Sequence, residues 1–87
     1  MDRFHDMARS HYYVMFDGGA WTIQCDGENS EPYSRRHDAF KDAVALAHLD
    51  ETNGREAAVI VQGEDAMFRP AWRSSQDVYP PPLVPEL

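Results

Sequence analysis

The 87-residue chain carries 15 acidic residues against 8 lysines and arginines, for a net charge of −7. Binding nucleic acid through its phosphates needs a cationic surface, so this balance makes a nucleic-acid partner a poor expectation. The single cysteine, Cys25, excludes an internal disulfide, and no stretch is apolar for long enough to span a bilayer. We therefore expect one small domain in the reducing cytoplasm, without membrane contact or a bound cofactor.

The two ends of the chain differ in composition from its middle. Residues 1–10 are polar and aperiodic and are predicted to form a flexible N-terminal arm, whereas residues 11–73 are expected to fold as the domain. Residues 74–87 are proline-rich, and successive prolines favour extended polyproline II. This C-terminal tail is expected to be solvated or packed on its own domain. The alternatives are docking into an aromatic groove of a partner and crossing onto a second subunit.

The first part of the domain has the pattern of a β-hairpin. His11–Phe16 is rich in aromatic and β-branched residues and is predicted to be a strand. Gly18 and Gly19 follow, and glycines supply the positive φ angles of tight hairpin turns. Apolar residues then alternate with polar ones from Trp21 to Cys25, which predicts a strand with one buried face. Residues 27–32 form a polar turn region, with a short extended piece expected at 32–33.

A helix is predicted over residues 36–51. Ser34 is the expected N-cap, because its hydroxyl can accept a free backbone N–H of the first turn. The helix should stop at residues 53–54, where a glycine suits the left-handed closing position. At about 100° per residue, one apolar stripe should face the sheet. It consists of Phe40, Ala43, Val44 and Ala47.

Two more strands complete the predicted domain. Residues 57–62 form an apolar run typical of an interior strand, and residues 66–69 return as a fourth strand. Pro70 lacks an N–H, so this strand should end there, bulge there or lie at an edge. The predicted fold is α+β: a two-layer β-β-α-β-β unit with a small, mostly antiparallel sheet and one helix packed on one face. Its expected core residues are Trp21, Ile23, Phe40, Val44, Ala47, Val59, Val61 and Phe68.

The apolar surface of the predicted helix is wider than one sheet requires. Ala39 and Leu46 extend it to one flank, and Leu49 lies further round. One interpretation is that the leucines lap over the edge of the sheet, since isolated exposed apolar residues are common. The other is a homodimer contact, which the small size of the chain and the frequency of two-fold dimers favour.

The charges at the helix ends oppose the helix dipole. Arg35 and Arg36 lie at its start and acidic residues at its end. Because each such charge is worth little, the mismatch can be tolerated noise. The alternative is an anion-binding spot where free N–H groups and the arginines converge, joined by Arg69 or Arg73.

No catalytic or metal-binding pattern emerges from the cysteine and the histidines. Cys25 is best interpreted as a small buried apolar residue, and only an activating imidazole such as His11 would make it a nucleophile. His37 and His48 lie about 16 Å apart along the predicted helix, too far to ligate one metal ion. We therefore expect a protein that is not an enzyme.

Three segments together resemble a known group of proteins. They are the glycine turn with Gly19–Ile23, the helix motif Asp38–Ala47 and the strand pair Val59–Phe68. The group comprises short bacterial proteins catalogued only as a domain of unknown function, with a Gly-Trp strand, a Lys/Glu-Ala helix and a proline-containing tail. The resemblance covers roughly residues 12–82 and implies a β-β-α-β-β order and a bacterial origin. It implies no activity, cofactor or catalytic residue.

These observations favour a non-enzymatic protein-interaction module that acts as a homodimer and has a further, unidentified protein partner. The alternative is a nucleic-acid-associated or antitoxin-like regulator with a local arginine and lysine patch, since the element order also resembles the antitoxin half of some toxin–antitoxin pairs. The candidate interaction residues are Arg35, Arg36, Ala39, Leu46, Leu49, Arg69, Arg73 and Tyr79.

Overall fold

The computed structural model describes residues 9–74 and 76–79. Within them, one helix packs on one face of a five-stranded mixed sheet, so the predicted two-layer α+β class is confirmed. No helix in these residues is long and apolar enough to cross a membrane. The elements in chain order are β1 (Arg9–Asp17), β2 (Ala20–Cys25), β3 (Glu28–Asn29), α1 (Arg36–Thr52), β4 (Glu56–Gln62) and β5 (Phe68–Arg73).

The strands lie side by side in the order β3-β2-β1-β4-β5. The central pair, β1 and β4, is parallel, and the other pairings are antiparallel. The central pairing is parallel because α1 carries the chain back to the end of the sheet at which β1 began. The predicted, mostly antiparallel sheet is therefore confirmed, with one parallel pairing at its centre.

Some element boundaries differ from the prediction. β1 begins at Arg9, so Arg9 and Ser10 belong to the sheet rather than to the predicted arm, of which residues 1–8 lie outside the described part. The two-residue β3 was not predicted, since it lies in a segment that has the composition of a turn. The extended piece at 32–33 is present, where Tyr33 forms an isolated bridge with Trp21.

α1 begins at Arg36 as predicted and ends close to the predicted position, but its N-cap differs from the prediction. Arg35 is the N-cap and makes no side-chain capping hydrogen bond, so the predicted Ser34 cap is wrong. The reason is positional: Ser34 lies one residue before the capping position. At the other end, Gly54 adopts a φ of 82°, and the N–H of Arg55 donates to the carbonyl of Asp50 at 2.9 Å. This left-handed closure is the one expected at residues 53–54.

The core lies between α1 and the strands. Trp72 on β5 is its largest side chain and is 1% exposed. Trp21 is only half-buried and packs at the margin of the core. The predicted core residues that are buried are Ile23, Phe40, Val44, Ala47, Val59 and Val61.

Phe68 was wrongly assigned to the core. β5 does not end at Pro70 but runs through it to Arg73, as an edge strand with a register shift opposite β4. Edge strands tolerate proline because one side of the strand needs no ladder partner. With this register Trp72 pairs with Val59 on the helix side, whereas Phe68 lies on the opposite face and is 43% exposed.

Candidate functional site

The face of the sheet opposite α1 is apolar and aromatic at its centre. We call this side the open face, because the described residues place no second layer on it. In the sheet register, Tyr13 of β1 lies beside Ile60 of β4, and Phe68 lies on the next strand. The rings of Tyr13 and Phe68 meet edge to face at 6.0 Å across β4. The large apolar residues of the open face are Tyr13, Met15, Ile60 and Phe68.

The centre of the open face also carries no charged residue. Its polar neighbours on the same side are Gln24, Gln62 and the buried Thr22, as the pairing of β1 with β2 and of β4 with β5 shows. Toward one end of the face, Arg73 pairs with Ala58 and brings a positive charge to the same side. At one end of the face the ring of His11 stacks on Tyr13 at 6.4 Å. In a chain in which 26% of residues are charged, this surface has the composition of a contact face rather than of an ordinary solvated one.

A second apolar surface lies on the outer side of α1. Leu46 and Leu49 are 42% and 57% exposed and line a shallow groove of about 430 Å³, together with Tyr33 and His48. The phenol of Tyr33 donates to Oδ2 of Asp42 at 2.8 Å. Partial burial and this bond raise the pKa of Tyr33 to about 12. We call this surface the helix groove.

Ala39 does not belong to the helix groove. It was expected on the exposed flank of α1, but it is fully buried against the sheet. Ala39 lies one turn before Ala43, which is also fully buried, so the helix is rotated slightly further toward this side than the apolar stripe alone suggested. Leu46 and Leu49 remain as the exposed apolar residues of the predicted flank.

The arginines at the helix start have different surroundings. The guanidinium of Arg36 lies over the ring of Trp21, with its central carbon 5.5 Å from the ring centroid. A cation over an indole face is attracted by the ring, which gives this unfavourably placed charge a local compensation. Arg35 is exposed at the N-cap.

The two arginines of β5 are not brought together. Nη2 of Arg69 binds Oδ2 of Asp65 at 2.7 Å, which holds the pKa of Asp65 down at about 2. Arg73 lies four residues further along the strand, roughly 13 Å away at about 3.3 Å per residue, and donates to Gln76 at 3.3 Å. A single anion at the helix start therefore cannot contact both arginines.

A polar cluster closes the core beneath the end of α1. The phenol of Tyr12 donates to Oδ2 of Asp50 at 2.6 Å, which explains an acidic residue at the unfavourable end of the helix. Partial burial and this bond raise the pKa of Tyr12 well above its ordinary value. Cys25 lies nearby and is half-exposed rather than fully buried. Its burial and Asp26 raise the pKa of the thiol, and a protonated thiol is a weak nucleophile.

The described part of the tail packs on the domain. The indole N–H of Trp72 donates to the carbonyl of Val78 at 2.9 Å. The ring of Tyr79 then stacks on His48 of α1 at 4.0 Å, with 9° between the ring planes. Residues 75 and 80–87, which include the prolines of the predicted partner-docking segment, lie outside the described part. Among the described residues, no group of three or more His, Cys, Asp and Glu is placed to hold a metal ion.

Sequence reasoning located the helix groove but missed the open face. A signal for it was present in β1, where Tyr12 to Phe16 are all apolar or aromatic, and in β4, where the apolar run includes Ala58 and Ile60. Such runs are typical of strands buried on both faces, whereas a one-sided sheet shows alternation. The run in β4 predicted an interior strand, which is confirmed, whereas the run in β1 predicted only a strand. Neither prediction explains why the second face of these strands is apolar.

Comparison of the chain with protein-family models, with curated proteins and with solved structures finds no match. The resemblance to the short bacterial group of unknown function therefore stays a prediction.

Proposed function

We propose that this chain is a non-enzymatic protein-interaction module and that it acts as a homodimer through the open face. The observation that carries the proposal is the apolar centre of that face, where Tyr13 and Phe68 form an aromatic pair over β4. Tyr13 is 37% and Phe68 43% exposed. Exposed aromatic clusters of this kind are enriched at protein interfaces.

The charge distribution supports a second copy as the partner. Two copies with a net charge of −7 each repel one another, so they can approach only through a surface poor in carboxylates. The centre of the open face meets this condition, because its polar members are uncharged amides and a hydroxyl. The helix groove meets it less well, because Asp42 lies in its lining.

The size of the open face limits the strength of the dimer. With strands about 4.8 Å apart and about 3.3 Å of rise per residue, four strands of six residues span roughly 19 Å by 20 Å, or about 400 Å² in projection. Stable specific interfaces bury about 800 Å² of accessible surface on each partner. We therefore expect a dimer that dissociates on dilution into the micromolar range.

The cellular setting follows from the same residues. We place the protein in the cytoplasm, where a half-exposed free thiol such as Cys25 stays reduced. The raised pKa of this thiol supports a non-enzymatic role. A bacterial origin and membership of the group of unknown function remain part of the proposal through the resemblance.

Sedimentation equilibrium over a wide range of protein concentration tests the dimer. We expect the mass of the wild-type chain to rise from monomer to dimer with concentration. Phe68→Asp places a charge in the open face and should keep the chain monomeric. Leu49→Asp is the control, since it places the same charge on an even more exposed apolar position of the helix groove and should leave the dimer intact.

Two results would contradict the proposal. One is a monomeric wild-type chain at every concentration. The other is loss of the dimer in Leu49→Asp with retention in Phe68→Asp, which would move the interface to the helix groove. Circular dichroism of both variants verifies that each remains folded.

A further inference from the structure

A cleft of about 290 Å³ lies at the end of the open face where β1 and β4 begin and β5 ends. Its floor is on β4 at Ala58, whose methyl group is too short to fill the space between the neighbouring strands. His11 of β1 pairs beside Ala58 on one side, and Arg73 of β5 pairs with it on the other. We call this surface the polar cleft, and its lining includes His11, Glu56, Ala58, Arg73, Ser74 and Gln76.

The hydrogen-bond donors of the polar cleft have few partners within the protein. A guanidinium has five N–H groups, and that of Arg73 makes one hydrogen bond in the described part of the chain, to Gln76 at 3.3 Å. The ring of His11 makes no hydrogen bond to a described residue. Ser74 is only 6% exposed, and its hydroxyl oxygen accepts the N–H of Ala57 at 3.0 Å, but no described residue accepts its O–H. The cleft therefore has more donors than the described residues have acceptors for them.

The separation of the two side walls suits one anionic group. Strands lie about 4.8 Å apart, so the Cα atoms of His11 and Arg73 are roughly 10 Å apart across β4. The fork of an arginine matches the two oxygens of a carboxylate, and such charge-assisted hydrogen bonds are stronger than neutral ones. One carboxylate above Ala58 can therefore accept hydrogen bonds from both walls.

The charges around the polar cleft favour a singly charged ligand. Glu56 lies on β4 two residues before Ala58 and so on the same face of the sheet. The carboxylate of Asp77 is also near, since it accepts the backbone N–H of Arg73 at 2.8 Å. These two carboxylates and the net charge of −7 repel a dianion such as phosphate more strongly than a monoanion.

The surface next to the polar cleft is aromatic. Tyr13 lies two residues beyond His11 along β1, at a distance of roughly 7 Å, and its ring is 37% exposed. We infer that the polar cleft binds a small monocarboxylate with an apolar body. The carboxylate lies between Arg73 and His11, and the body covers the ring of Tyr13. This inference does not rest on the proposed dimer.

Titration of the isotope-labelled full chain with 3-phenylpropionate, followed by NMR, tests the inference. The chain is kept at a concentration where it is monomeric, and sodium chloride holds the ionic strength constant. We expect saturable shifts of the Ala58 amide and Gln76 side-chain amide peaks, with a dissociation constant in roughly the millimolar range for so small a ligand. Acetate, which lacks the apolar body, should bind about tenfold more weakly. The uncharged 3-phenylpropionamide and inorganic phosphate should give no saturable shift.

Variants with matched charge assign the binding to one arginine. Arg73→Gln should weaken the binding of 3-phenylpropionate by about tenfold or more. Arg69→Gln is the control, because it removes the same charge from the same strand, but its guanidinium binds Asp65 outside the polar cleft. This control should bind as the wild-type chain does. His11→Phe keeps a ring beside Tyr13 but removes the ring nitrogens, and should weaken binding by about threefold.

Four results would overturn the inference. They are the absence of a saturable shift with 3-phenylpropionate, equal binding of 3-phenylpropionamide, equal binding of phosphate, and equal affinity in Arg73→Gln and Arg69→Gln. Amide peaks remote from the polar cleft verify that each variant remains folded. None of these results bears on the dimer, which is tested by the mass of the chain.

Discussion

The two faces of the sheet are built from the same strands but have different surroundings. On the helix side, Val14, Val59 and Val61 are completely buried. One residue away on the same strands, Tyr13 is 37% exposed and Ile60 is half-buried. Both sets are apolar. The difference shows that composition alone does not indicate whether a face is covered within the chain, since α1 can pack on only one of the two.

The face that packs on α1 is apolar, as expected for a sheet in a small two-layer domain. The open face is also apolar at its centre, which is not expected of a face without a second layer. A two-layer α+β fold normally has an alternating sheet with a solvated polar face. Here the central strands have the pattern of a sheet covered on both sides, with only one cover in the described part of the chain. A partner layer would complete the arrangement, which is the role proposed above for a second copy.

The largest effect should come from removing matched aromatic residues on the two faces. Trp72→Ala empties a buried site of the covered face and should lower the free energy of unfolding by about 3–5 kcal/mol, a large share for a small domain. Phe68→Ala, on the open face, should cost about 1 kcal/mol, mainly through its edge contact with Tyr13. Urea unfolding followed by circular dichroism, at a concentration where the chain is monomeric, measures both. Equal losses of unfolding free energy in the two variants would mean that Trp72 and Phe68 are equally buried in solution, which would contradict the difference between the two faces.

A smaller effect should appear where the covered face meets the end of the helix. Tyr12→Phe removes the hydrogen bond to Asp50 and should cost about 1 kcal/mol at neutral pH, since the pair is only partly buried. Tyr13→Phe on the open face is the matched control and should change stability little. If Tyr12→Phe were as stable as Tyr13→Phe, the hydrogen bond between Tyr12 and Asp50 would not contribute to the free energy of unfolding.

The same variant should alter the response to alkaline pH. Because folding raises the pKa of Tyr12, the neutral phenol is favoured in the folded state. The resulting stability is complete below the unfolded value, about 10, and is lost as the pH rises above it. The urea midpoint of the wild-type chain should therefore fall between pH 9 and pH 11, endpoints chosen as roughly one unit on either side of that value. In Tyr12→Phe the fall should be shallower but still present, because Tyr33 has a raised pKa as well. An equal fall in both proteins would contradict the assignment.

The smallest effect should come from the exposed ion pair at the edge of the sheet. Arg69 holds the pKa of Asp65 at about 2, and Arg69→Gln should return it toward the ordinary value near 4. The stability linked to this pair is present above the ordinary value and is lost as the pH falls toward 2. A carboxyl chemical-shift titration by NMR measures the midpoint directly. An unmoved midpoint in Arg69→Gln would show that the ion pair does not form in solution.

Much of the fold could be predicted from local patterns. The hairpin at Gly18 and Gly19, the helix with its Gly54 end and the two later strands each have a signal within a few residues. What failed depended on longer-range geometry. Phe68 was predicted to be in the core, but Trp72 occupies that place because of a register shift between β4 and β5. Nothing in the composition of β5 specifies this shift.

The candidate surfaces were predictable to different degrees. Leu46 and Leu49 were found from helical periodicity, because exposure on a helix follows from angle alone. Ala39 was misplaced because a shift of helix rotation by one position changes which flank is buried. The open face was missed for another reason: an apolar run does not reveal how many layers the chain provides. Only the placement of the single described helix on one side shows which apolar residues the described part of the chain leaves without a second layer.

The most direct test of the account is an isotope-filtered nuclear Overhauser measurement on a mixture of isotope-labelled and unlabelled chains, at a concentration where the mass is that of the dimer. Such an experiment detects only contacts between copies. The account predicts contacts from the Ile60 and Met15 methyl groups to aromatic rings of the second copy, and none from Leu46 or Leu49. Contacts confined to the leucines, or a chain that never dimerises, would contradict it.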